Sequence, residues 1–98
     1  MDDAEETMSL LCAIAEYFRR NPMACDTQQG IAVWWLGKPD AACKLVQRAL
    51  KVLEELGIVE VLHALDGRAR YRMATTASIP ERTEELIQLA YLTKAVTQ

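Results

Sequence analysis

Four polar side chains recur at helical spacing in the middle of the chain: Lys44, Gln47, Arg48 and Lys51. Offsets of three and four place them on one side of a helix. Three carry positive charge and the fourth an amide, the groups that bond phosphate oxygens and base edges in a nucleic-acid groove. A second cationic series follows in Arg68, Arg70 and Arg72, alternating with Ala69, Tyr71 and Met73. In a β-strand such alternation sends the arginines to one face. Lys38, in the turn before the first series, is a further candidate for a phosphate contact. A charged helix face alone is ordinarily just solvated. Here the cations come early in the helix and Glu54 and Glu55 late, the reverse of what the helix dipole favours, so helix stability alone does not explain them.

Other chemistry is poorly provided for. His63 is the single histidine, and there is no glycine-rich phosphate loop, no Ser-His-Asp order and no metal-spaced cluster. Glu54-Glu55 and Glu84-Glu85 are helix neighbours that point apart and read as solvated. Cys12, Cys25 and Cys43 are odd in number, widely spaced and lack a Cys-x-x-Cys pair, so reduced, buried thiols are expected rather than disulfides or zinc ligands. No catalytic residue, cofactor or metal is expected, and the chain does not read as an enzyme.

The elements that must hold these residues are legible from apolar spacing. Val46, Ala49, Leu50, Leu53 and Leu56 make the back of a third helix, with Leu45 and Val52 at its margin, Asp40 as its cap and Gly57 as its stop. Asp66-Gly67 favours a two-residue type I′ turn between two strands. That turn sets Leu62 opposite Tyr71 and His63 opposite Arg70, so that His63 joins the arginines. Asp26-Thr27-Gln28-Gln29 has the form of a capping box with Asp26 as N-cap. The short second helix it opens ends at Gly37 in the left-handed position, with Pro39 beyond. Trp34 and Trp35 point about 100° apart on that helix, so they cannot both face the centre of one core. One of them is a candidate anchor for a partner chain.

The first helix runs to about Arg20 on a wide apolar arc, Met8, Leu11, Cys12, Ala15 and Phe18, with Leu10, Ile14 and Tyr17 beside it. A last helix follows a capping box at Ser78 to Glu81. Leu86, Leu89, Ala90, Thr93 and Val96 form one apolar stripe and Ile87, Tyr91 and Ala95 another, more than docking on a small domain requires. The surplus points to a subunit interface, and a two-fold homodimer is the commonest closed form.

Taken together, Trp35-Leu36-Gly37, the run Val46 to Leu53, the phrase Leu53-Glu54-Glu55-Leu56-Gly57-Ile58-Val59-Glu60 and the hairpin Asp66-Gly67-Arg68-Ala69-Arg70-Tyr71-Arg72 resemble the winged helix-turn-helix family. The resemblance covers roughly Met8 to Met73. It implies a three-helix core with a two- or three-stranded antiparallel sheet, a short first strand near Met23 to Cys25, a helix that reads a DNA groove and a wing that clasps phosphates. The turn between the second and third helices is longer than in a simple helix-turn-helix, so the cationic face carries over but no base-by-base code does.

A chain of 98 residues makes one small domain, and 51% apolar content is that of a folded protein. The expected division is a first helix over 1–20, a helix-turn-helix over 26–57, a wing over 58–73 and a C-terminal helix over 78–96. The acidic start lacks the basic and apolar regions of a signal peptide and no apolar run is long enough to span a membrane, so a cytoplasmic location is expected. A net charge of −3 weighs against nucleic acid, but the acids gather at Asp2 to Glu6 and Glu81 to Glu85, away from the cationic series. The leading expectation is a sequence-specific, homodimeric regulator that binds double-stranded DNA. The alternative is an interaction module without nucleic acid, holding a protein partner through Trp34, Trp35 and the last helix.

Overall fold

A computed structural model describes residues 3–37, 43–75, 79 and 82–92. Its elements in chain order are helix α1 (Asp3–Arg20), strand β1 (Cys25–Thr27), a short helix α2 (Gln28–Gly30) continued as a π-helical segment (Ile31–Trp35), helix α3 (Cys43–Glu55), strands β2 (Val59–His63) and β3 (Ala69–Met73), and helix α4 (Thr83–Tyr91). The three strands form one antiparallel sheet in the order β1-β3-β2, which makes the arginine-bearing strand the central one. The architecture is mainly helical with a small sheet, as the sequence leads one to expect. Among the described residues no helix is long and apolar enough to cross a membrane.

The core is built by apolar residues at helical spacing. Leu11, Ile14, Ala15 and Phe18 of α1 meet Val46, Ala49, Leu50 and Leu53 of α3, and Ile31, Ala32, Ile58 and Val59 close the same cluster. Val52, placed at the margin by periodicity, is fully buried. α3 ends in a Schellman arrangement: the Ile58 N–H donates to the Leu53 carbonyl and the Gly57 N–H to the Glu54 carbonyl, with Gly57 at φ +76°. This stop sets the direction in which β2 leaves the helix.

Several local expectations are corrected. The first strand lies at Cys25–Thr27, two residues later than expected, and Asp26 pairs with Tyr71 in its middle rather than abutting the next helix. Thr27 is the N-cap instead, its hydroxyl accepting from the Gly30 N–H at 3.1 Å. The Asp26 carboxylate lies where a side chain on residue 30 would sit, so glycine leaves it room. Beyond Gly30 the Leu36 N–H reaches back five residues to the Ile31 carbonyl, the π-type bond, before Gly37 at φ +63° ends the segment as expected.

The hairpin also differs. Val61 pairs with Tyr71, Leu62 with Arg70 and His63 with Ala69, joined by a three-residue loop Leu65-Asp66-Gly67 rather than a two-residue turn. A type I′ turn demands positive φ at both central residues. Here Gly67 alone takes it, at +82°, while the Gly67 N–H closes a turn onto the Ala64 carbonyl. Asp66 keeps a negative φ and its carboxylate accepts from the Arg68 N–H at 2.9 Å, a bond that favours this loop.

α4 begins at Thr83, with Arg82 at the N-cap. Ser78, Pro80 and Glu81 of the expected box, Lys38, Pro39 and Asp40 of the long turn, and Thr93, Ala95 and Val96 of the last stripe lie outside the described residues. Leu86 and Ala90 are buried, with α4 resting on α1 of the same chain. Cys12 and Cys43 are half-buried, but Cys25 is exposed, because β1 turns it to the outer face of the sheet.

Candidate nucleic-acid interface

Helix α3 presents its polar side as its spacing predicts. Lys44, Gln47 and Lys51 are exposed and Arg48 is half-buried, opposite the buried Val46, Ala49, Leu50 and Leu53. Among the described residues no carboxylate lies within ion-pair distance of Lys44, Arg48 or Lys51. The start of the helix is pinned, since Gln28 donates through Nε2 to the Cys43 carbonyl at 2.9 Å. This bond satisfies one end of Gln28 and ties α2 to the first turn of the cationic helix.

Between these helix starts and the sheet runs an open cleft of about 390 Å³, lined by Thr27, Gln28, Gln29, Cys43, Arg68, Ala69 and Tyr71. Arg68, at the base of the hairpin loop, and Cys43, the first residue of α3, thus line the same cleft. Burial, with a smaller contribution from the Glu54 carboxylate, pushes the Tyr71 phenol up from its usual value.

Arg70 and Arg72 stand elsewhere. The pairing puts them on the outer face of the sheet with Glu60, Leu62, Cys25 and Thr27, while Val59, Val61 and His63 share the inner face with Met73, Tyr71 and Ala69. His63 therefore does not join the arginines; the one-residue change in register carries it to the other face. Both arginines have acidic neighbours: Arg70 Nη2 lies 3.3 Å from an Asp66 oxygen, and Arg72 Nε donates to Glu60. Asp66 is held below the usual carboxylate range, first by the Arg68 backbone N–H and then by the charges of Arg70 and Arg68. Arg68 thus shares a cleft with Cys43, the first residue of α3, whereas Arg70 and Arg72 have carboxylate partners on the outer face of the sheet.

Comparison of the chain with protein-family models, with curated proteins and with solved structures finds no match. A functional reading therefore rests on the side chains themselves.

The expected partner residues also separate. Trp34 is 82% exposed. Trp35 stacks on Tyr17 with ring centroids 4.2 Å apart and meets Phe18 edge-on at 5.2 Å, so its ring is committed within the chain. Leu86 is likewise buried in the chain's own core, whereas Leu89 and Tyr91 are partly exposed and Leu92, not singled out by its spacing, is largely exposed. Burial raises the Cys12 thiol above its usual value, and among the described residues no group of histidine, cysteine and acidic side chains could hold a metal ion.

Periodicity passed over Glu60 and Asp66, because it treats each strand alone. The signal that finds them is the cross-strand register: a three-residue loop sets Glu60 opposite Arg72, and Asp66 lies four residues before Arg70 at the loop.

Proposed function

We propose that this chain is a winged-helix protein that binds double-stranded DNA in transcriptional control, with α3 as the groove-entering helix and Arg68 as the wing contact nearest to it. The observation that carries the reading is the exposed face of α3, where Lys44, Arg48 and Lys51 lack carboxylate partners among the described residues and Gln47 stands between them. Cations of this kind release counterions when they meet phosphates, and an amide at the same level can bond a base edge. The order of helix, strand, helix, helix and hairpin supports the family resemblance. Two copies associating through Leu89, Tyr91 and Leu92 of α4 would present two such helices, the arrangement that palindromic half-sites require.

Phosphate contacts made by four cations at most give log K against log salt a slope of about −3.6. Lys44→Ala and Lys51→Ala are each expected to flatten the slope by about 0.9. A fluorescence-anisotropy titration of a labelled duplex over a salt series measures both, and unchanged slopes in the two variants would remove α3 from the interface.

A second reading is favoured by one observation, the exposure of Trp34 next to a buried-face tryptophan. In that reading Trp34 anchors a protein partner, because exposed aromatic side chains are frequent binding hot spots. Trp34→Ala then abolishes partner capture, whereas on the DNA reading it leaves the salt series unchanged.

A further inference from the structure

We propose that Glu60 and Asp66 hold down the sequence-independent affinity of the interface by cancelling the wing arginines within the chain. The inference rests on the DNA-binding reading above. Arg70 lies 3.3 Å from Asp66, and Arg72 donates to Glu60. All four side chains are partly exposed, so these pairs are weak and exchangeable rather than fixed by burial.

A phosphate can displace such a carboxylate from its arginine, but the carboxylate is tethered and stays beside the new contact. Once displaced it draws a cation from solution and repels the phosphate, so the counterions released from DNA are offset. Arg70 and Arg72 therefore add little to the salt-dependent term, despite a spacing that suggests three wing contacts. Arg68 differs: its backbone N–H bonds Asp66, but its guanidinium has no ion pair among the described residues and lines the cleft beside α3. The wing thus carries one cation without an ion pair among the described residues, in the cleft that Cys43 of α3 also lines, and two paired ones on the outer sheet face. A small nonspecific term leaves base contacts, Gln47 foremost, a larger share of the total affinity.

The test is a salt series with a random-sequence duplex, comparing the unmodified chain with the double variant Glu60→Gln, Asp66→Asn. Glutamine keeps the length of Glu60, and asparagine keeps the oxygen that accepts from Arg68, so the hairpin is expected to survive; a thermal melt of each variant checks it. A control pair, Glu5→Gln with Glu85→Gln, changes net charge equally at exposed positions that lack ion pairs among the described residues. The double variant is expected to steepen the slope by about 1.8, so that its affinity loss between about 50 and 200 mM salt grows by about twelvefold. The control pair is expected to leave the slope unchanged. Arg70→Ala with Arg72→Ala is expected to be silent in the unmodified chain and to erase the gain in the double variant.

An unmodified chain that binds with the same slope as the double variant overturns the cancellation and leaves the DNA reading standing. An equal steepening in the control pair also overturns it, since global charge then accounts for the effect. Binding by the double variant alone upholds the cancellation while removing the reading that the unmodified chain holds DNA. Absence of binding by either sinks both.

Discussion

Trp34 and Trp35 show how a single step along a helix separates two identical side chains. Trp35 lies over Tyr17 and against the edge of Phe18, whereas Trp34 projects into solvent. Removing the first ring takes away apolar area and two aromatic contacts, so Trp35→Ala is expected to cost about 2–3 kcal/mol of stability in a denaturant titration. Trp34→Ala is expected to stay within about 0.5 kcal/mol of the unmodified chain, since an exposed ring has little to lose on folding. Equal losses would mean that Trp34 is covered by another part of the molecule. That the two tryptophans must differ was legible from helix geometry. Which one faces inward was not, because it depends on how the segment docks against Tyr17 and on the π-type bond from Leu36 to Ile31. Cys25 has the same lesson: as a small apolar residue it is read as buried, but its position in the strand sends it outward.

At the level of elements, apolar periodicity was a good guide to α1 and α3, whose buried residues fall where spacing puts them. Local hydrogen-bonding chemistry was a poorer guide. Asp26 and Thr27 are both good cap residues and both lie in β1; Thr27, the last residue of the strand, is the one that abuts the helix and caps it. Asp66-Gly67 is compatible with two hairpin loops, and the loop formed is the one in which glycine alone bears positive φ. Gly57 shows a backbone requirement that spacing alone did reveal. Its φ of +76° with open space around the missing side chain means that Gly57→Ala meets conformational strain but no clash. It is expected to cost about 1 kcal/mol, a melting-temperature fall of about 4–8 °C for a domain of this size. An unchanged melting temperature would show that the end of α3 is not held by the Schellman bonds.

Over the whole molecule, the arrangement of charge matters more than its sum. The net charge of −3 is unfavourable for a polyanion partner. Acidic residues are not confined to the two ends of the chain, as their clustering there suggested, for Glu60 and Asp66 sit within the wing and neutralise two of its arginines. The candidate site that remains is Lys44, Arg48 and Lys51 of α3 with Arg68, the cations without an ion pair among the described residues. Such a site predicts DNA binding that is weak at physiological salt and has a moderate salt dependence, rather than the steep dependence of a fully basic wing. The most direct test is the equilibrium binding of the unmodified chain to a random-sequence duplex, titrated from about 50 to 200 mM salt. A log-log slope between about −2.7 and −3.6 is expected, corresponding to three or four unpaired cations at phosphates. No salt-sensitive binding at the low end of that range would contradict it.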